Sequence, residues 1–408
     1  MLIKNKYSLT YCSNIFKENN WKTLFNKLNT YINSLKKYNK PIGLSLCISN
    51  KLSNEIKKEK NISTIKNWLE EKNVYLSSIN GFVYKTFHKK NIKDKIHYPD
   101  WTSKKKLNYT TNLITILRNL ITKNKTGSIS SSPLSYAPWI KKKNHDYILF
   151  KSSKNIAIII KNLICSTNKN IIHIDIEPEP DCIINDSTTF INFYNKWLIP
   201  IAVKYLNDNL NFSKKKAIIY IKKHIRLCYD ICHFSVNFEN HKKIIHSINK
   251  NNIKIGKVQI SSAMEIKIPT QNTKKAYIIN DLKNVIKSPF LHQTTEKINK
   301  KLIKYKDIKY ALKNFENKNN SILRIHCHTP LYKKNIKNIG TTQNETKNAL
   351  IDLLNEKHIK HIEIETYTHK LISNEKQLNS IIKEYNWVIK LINKKFKHEI
   401  NKTINKTS

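Results

Sequence analysis

The chain has 408 residues, with 74 lysines and arginines against 29 acids, for a formal charge of +45. Its 39% hydrophobic and 10% aromatic content supplies a sizeable core and excludes wholesale disorder, while no apolar run nears the ~20 residues a bilayer crossing needs. Only Arg118, Arg226 and Arg324 are arginines; the charge is therefore lysine, which lacks the planar fork that reads bases and phosphates bidentately.

Lys, Asn and Ile dominate together, as A/T-rich codons dictate, so the charge reads as compositional and no specific nucleic-acid partner is expected. The start, MLIKNKYSLTYCSN, has no apolar h-region, so no secretory signal is expected. Seven irregularly spaced cysteines point to a reducing compartment. Five scattered glycines permit neither a dinucleotide fingerprint nor a P-loop.

In chain order, strands are expected at Ser8–Ser13, Ile42–Ile48, Val74–Asn80, Gly127–Ser131, Ile171–Glu177, Ile225–Cys232, Lys257–Ser262, Ile322–His326 and Ile362–Thr366. Helical spacing separates most of them, at Trp21–Lys37, Ile62–Lys72, Lys106–Leu120, Asn155–Leu163 and Thr188–Leu206. Strands alternating with helices predict a parallel sheet, and eight or nine such units predict an α/β (β/α)8 TIM barrel over residues 1–372. Met264–Asn320 breaks the rhythm and reads as a late insertion, with a weak strand at Pro289–Thr294. A C-terminal helix is expected over 373–398, with Leu378, Ile381, Ile382, Tyr385, Val388 and Ile392 on one face, then a frayed tail over 399–408.

In such a barrel, function collects where strands end. The fifth strand runs into Asp175-Ile-Glu177-Pro-Glu179-Pro-Asp181, and the sixth into Asp230-Ile-Cys-His233. A later strand ends in Arg324-Ile-His326-Cys-His328, and the last in Glu363-Ile-Glu365. Carboxylates with imidazoles are the ligand set for Mn²⁺, Zn²⁺ or Mg²⁺. Glu177, Asp230, His326, His328 and Glu365 are therefore the candidate metal ligands, with Glu179 or His233 as the proton-transfer group. Residues two apart on a strand share a face, and the more C-terminal lies nearer the mouth; Glu365 is expected ahead of Glu363, and His328 ahead of His326. Asn80, Gln259, Ser261 and Trp101 are the candidate pocket residues.

Further segments complete a pattern: Leu9-Thr-Tyr-Cys-Ser-Asn-Ile15 with Trp21, Asn80-Gly-Phe82, Tyr98-Pro-Asp-Trp101, Ile176-Glu-Pro-Glu-Pro180, Cys228-Tyr-Asp-Ile-Cys-His233, Gln259-Ile-Ser-Ser-Ala263, Leu291-His-Gln293, Arg324-Ile-His-Cys-His328 and Glu363-Ile-Glu-Thr-Tyr-Thr368. Over residues 7–370 the chain resembles the EboE metabolite-traffic proteins, a branch of the xylose-isomerase-like sugar phosphate isomerase/epimerase barrels. The resemblance implies one divalent metal held by a Glu, an Asp, a His and a Glu. Carried over, Glu177 and Glu365 match the two Glu positions, Asp230 the Asp, and His233 a substrate-contacting His. Where the isomerases place the metal's His after the seventh strand, this chain has Gln259 and Ser261; His326 or His328 is the candidate replacement. The implied role is acting on or handling a small polar metabolite in secondary-metabolite trafficking or processing, with partners from the same gene cluster, in a plastid stroma or a bacterial cytoplasm. The alternatives are a non-catalytic metabolite-binding barrel and an endonuclease-IV-like enzyme. The latter fits less well, because the early strand ends carry Ser13, Asn14, Ser78, Asn80 and Ser130 instead of more His and Asp.

Overall fold

A computed structural model describes residues 1–16, 20–85, 93–122, 125–166, 170–368 and 376–407. In chain order its strands are β1 (Leu2–Ile3), β2 (Tyr7–Tyr11), β3 (Ile42–Cys47), β4 (Val74–Asn80), β5 (Thr126–Ser131), β6 (Ile171–Ile176), β7 (Ile225–Asp230) and β8 (Ile255–Ile260). There follow β9 (Ser262–Lys267), β10 (Thr294–Ile298), β11 (Lys301–Tyr305), β12 (Ile322–Thr329), β13 (Asn335–Ile336), β14 (Ile339–Thr341) and β15 (His361–Ile364). One sheet has the order β1-β2-β15-β8-β7-β6-β5-β4-β3. β1 pairs antiparallel with β2, and every other neighbour is parallel. A parallel bridge from Cys12 to Ser45 joins the β2 and β3 ends of that order. Eight parallel strands thus close into a (β/α)8 barrel.

The alternation within each strand explains why the ring closes over a polar interior. In β6, Ile172, Ile174 and Ile176 join the large apolar core, while His173 and Asp175 hydrogen-bond to each other within the barrel. Contacts between strands that are not neighbours show which positions face the axis: Lys257 of β8 reaches Ser130 of β5, and Thr126 of β5 reaches His361 of β15. Around the ring, helices such as Trp21–Leu35 bury one stripe, here Leu24, Phe25, Leu28, Tyr31, Ile32 and Leu35. Its start is fixed by Asn20, whose side chain accepts from the Thr23 N–H at 3.0 Å. Among the described residues, no helix is long and apolar enough to cross a membrane.

Three boundaries differ from the sequence reading. The strand read at Ile322–His326 is β12, and it lies outside the barrel. It pairs antiparallel with β9, Arg324 opposite Glu265, in a six-stranded sheet ordered β11-β10-β12-β9-β14-β13. That sheet and the helix Asn272–Ile286 have their own core, which includes Met264, Ile266, Leu282, Leu323 and Ile325. The insertion therefore runs from β9 through β14, beyond Asn320. The weak strand read at Pro289–Thr294 is displaced to the β10–β11 hairpin, since β10 begins at Thr294. The terminal helix covers Gln377–Thr407, so helical backbone continues through the segment read as a tail; no proline or glycine interrupts it there.

Candidate metal centre

The C-terminal ends of the barrel strands bring together Glu177 after β6, Asp230 at the end of β7 and Glu365 after β15. Each offers an oxygen, and the three oxygens lie within 4.8 Å of one another. Asp230 divides its work between fold and site. Its Oδ1 accepts the N–H groups of Cys232 and His233, at 2.7 and 3.3 Å, and so caps the short helix Ile231–Val236. Ser261 Oγ lies 3.4 Å from the same oxygen. The other oxygen, Oδ2, is buried and accepts no hydrogen bond. Glu365 is held by side-chain amides: Asn14 and Asn80 donate to its Oε1 at 3.1 and 3.2 Å, and Gln259 donates to Oε2.

Three histidines face these acids. His233 Nδ1 donates to the Pro178 carbonyl at 2.7 Å, and His328 Nδ1 donates to the Glu365 carbonyl at 2.7 Å. A carbonyl only accepts, so each ring carries its proton on Nδ1 when neutral and turns an Nε2 lone pair to the site. Those Nε2 atoms lie 3.7 and 4.0 Å from Asp230 Oδ2. His326 Nδ1 lies 2.9 Å from Gln293 Oε1, and the Gln293 amide is oriented by donating to the Pro180 carbonyl. His326 and His328 approach through their Nε2 atoms, 2.9 Å apart. Glu179 lies 3.4 Å from His233 Nε2 and 3.5 Å from His326 Nδ1.

The electrostatics are those of acceptors gathered without enough donors. Burial, then Glu365 and Asp230, pushes the Glu177 carboxyl well above its usual range. Burial, then Glu363 and Asp230, does the same to Glu365. Burial raises Glu179 to about 7, against the opposing pull of His233. Burial lowers His328 to about 4 and His326 well below the usual imidazole value. Burial also works against a charged His233, but Asp230 and Glu179 outweigh it, and its pKa is raised.

These groups suit a divalent cation. Atoms bonded to one ion at ~2.0–2.3 Å stand roughly 3–4 Å apart, and Asp230 Oδ2 meets the His233 and His328 Nε2 atoms at such separations, too long for good hydrogen bonds. The donors are hard oxygens and imidazole, the set for Mn²⁺, Zn²⁺ or Mg²⁺. The carbonyls behind His233 and His328 are the outer partners that fix a ligating imidazole's tautomer.

The structure brings Glu177, Glu179, His233, His326, His328 and Glu365 to the lining of one pocket, a cavity of about 60 Å³, with Asn80 beside them. Gln259 and Ser261 sit behind that surface, against Glu365 and Asp230. Trp101 is fully buried elsewhere, its Nε1 donating to Ser131 and Ser132. Asn14, Phe82, Gln293 and Tyr367 stand within motif segments of the sequence reading but are not among its assigned site residues. Asn14 follows the end of β2 and obeys the strand-end rule; Gln293 lies in the insertion, where the Leu291-His-Gln293 segment marks it without assigning it a role. Phe82, Val83, Ile96 and Tyr367 form the pocket's apolar wall.

No family model matches the chain, and no curated protein matches it. Among solved structures, it is similar to a xylose isomerase-like TIM barrel protein from Mycobacterium smegmatis in complex with magnesium, at 7% identity over 96% of this chain and 97% of that one, TM-score 0.48. It is also similar to the IolI protein with a bound zinc atom, at 12% identity over 94% and 98%, TM-score 0.46. A third is an L-ribulose 3-epimerase, at 11% identity over 62% and 70%, TM-score 0.40.

Proposed function

We infer that the barrel mouth binds one divalent cation through Glu177, Asp230, His328 and Glu365, and that the pocket around it holds a small polar metabolite. The observation that carries this is the buried, hydrogen-bond-free Asp230 Oδ2 facing two imidazoles whose Nδ1 protons are already committed to backbone carbonyls. His328, delivered by the insertion, stands in for a ligand after β8, where Gln259 instead holds Glu365 in place. Bound there, a divalent cation supplies Lewis acidity toward a hydroxyl or carbonyl oxygen.

The chain's own residues do the rest. Asn14, Asn80 and Gln259 fix the Glu365 carboxylate. Phe82, Val83, Ile96 and Tyr367 line the pocket with apolar surface against which a ligand's carbon skeleton would pack. Glu179, raised to about 7 and lining the pocket, exchanges a proton with the ligand near neutral pH, with His233 Nε2 3.4 Å away. This set supports isomerase- or epimerase-like proton transfer beside a carbonyl. The motif pattern supports the finer EboE placement, in which the metabolite is a secondary-metabolite precursor and the barrel handles it in trafficking or processing.

The test is metal content after metal-replete purification, with melting in Mn²⁺, Zn²⁺ and Mg²⁺. A bound ion and a raised melting temperature are expected; neither ion nor shift would sink the proposal. Turnover of a sugar phosphate separates catalysis from binding alone, which would give stabilisation by the ligand without product.

A further inference from the structure

We propose that Arg324 is a positioning residue of the cation site: its planar fork locks the insertion's bulged strand onto the barrel and so aims His328 at the ion. For the ion itself this rests on the reading above. The ladder between β12 and β9 is regular from Ile322 opposite Lys267 to Ile325 opposite Met264, and resumes at Thr329 opposite Ser262. Three residues, His326 to His328, therefore stand against one, Ala263. Such a bulge bends a strand and re-aims its side chains. Here it takes both histidines out of the β9 ladder, so contacts beyond that ladder fix where they point.

The far end of the bulge is held by Thr329, whose Oγ1 donates to the Ser262 carbonyl at 2.9 Å, and by Thr368, which donates to the His328 carbonyl. Arg324 holds the near end. Its Nη2 and Nη1 donate to the two Glu345 oxygens at 2.7 and 3.3 Å. Nη1 also donates to the Ser235 carbonyl at 2.7 Å, and Nε to Glu265 at 2.9 Å. The guanidinium carbon lies 4.3 Å from the centre of the Phe238 ring. Glu345 belongs to the helix Gln343–Leu353, which precedes β15 and Glu365. Ser235 belongs to the short helix that Asp230 caps. One side chain thus ties the strand carrying His328 to the segments that deliver two of the acids. Burial works against a charged Glu345, but the His241 bond and then Arg324 outweigh it and hold the carboxyl at about 2. Arg324 is one of only three arginines among 74 basic residues. A lysine there would offer a compact point charge, unable to make two parallel bonds to Glu345 while reaching Glu265 and Ser235.

The test is a double-mutant cycle, read as the Zn²⁺ or Mn²⁺ affinity of the full chain by calorimetry. Arg324→Met and Arg324→Lys are each expected to weaken binding about tenfold, the low end of what loss of a ligand's supports costs. In a His328→Gln background neither should weaken it further by more than about twofold, because the ligand that Arg324 positions is already gone. The same tenfold loss in both backgrounds would show a general structural role and overturn the proposal. Wild-type affinity in either folded variant would also overturn it. Failure of this proposal alone leaves cation binding by the wild type intact, whereas a wild type that binds no ion overturns the reading above and this proposal with it. If circular dichroism shows that neither Arg324 variant folds, Glu345→Gln, which removes the charge the fork grips, decides by the same pair of affinities.

Discussion

The barrel contains two sets of buried charges, a few residues apart on the same strands, and they behave oppositely. In the interior, Lys257 Nζ lies 2.8 Å from Glu363 and 3.0 Å from Ser130, and Ser45 donates to the other Glu363 oxygen. Asp175 accepts from His173 at 2.7 Å and from Ser128 at 2.5 Å. At the mouth, Asp230 Oδ2 accepts nothing, and the histidines facing it have already spent their Nδ1 protons. Both sets hold buried carboxylates and imidazoles, but the interior adds Lys257 and serine hydroxyls as donors, and that pairing separates them. Paired buried charges hold the barrel, whereas acceptors that face only one another mark the place where a cation belongs.

That contrast breaks first at Lys257. Lys257→Met should cost about 3–5 kcal/mol in chemical denaturation of the metal-free protein, because it strands a buried Glu363 carboxylate. Adding Glu363→Gln should recover most of the loss; a cost below about 1 kcal/mol would show that the pair is not structural. Next, Glu365→Gln should weaken cation binding about a hundredfold, roughly 2.7 kcal/mol by calorimetry, without lowering the melting temperature of the metal-free protein. Gln259 has only to turn its amide to accept the new NH₂, so unfolding of this variant would place Glu365 with the structural charges. Gly256→Ala should destabilise by about 1–3 kcal/mol and leave the cation count unchanged, since a Cβ there would stand 1.9 Å from Asp175 Oδ1.

The smallest effect concerns pH. Glu179 is raised from 4.5 to about 7, so the metal-free fold favours its neutral form. Its contribution is full below the unfolded value and is lost as the pH rises through about 7. Glu179→Gln should therefore gain on the wild type between about pH 5 and 8, by of order 1–2 kcal/mol, when no cation is present. Parallel melting curves for the two proteins across that range would refute the assignment.

Local pattern was enough for the barrel. Val74–Asn80 is a strand as read, and the Ile-His-Ile-Asp-Ile run of β6 alternates between core and axis. Sheet membership was not legible. β12 has the alternation of a barrel strand, but its Leu323, Ile325 and Cys327 pack in the insertion's own core, and only tertiary pairing with β9 reveals that. Convergence of Glu177, Asp230 and Glu365 followed from their places at strand ends. Lys257 was not singled out, although a lysine two residues before Gln259 shares its face and pointed to a buried partner. Gln293 needs the fold to be seen, because it acts through His326, a residue 33 positions away.

The central claim is tested most directly by anomalous diffraction from crystals of the full chain grown with Zn²⁺ or Mn²⁺. The account predicts a peak at the barrel mouth, ~2.0–2.3 Å from Glu177, Asp230, His328 and Glu365. A mouth without a peak, with Asp230 Oδ2 instead hydrogen-bonded to a protein donor, would contradict it.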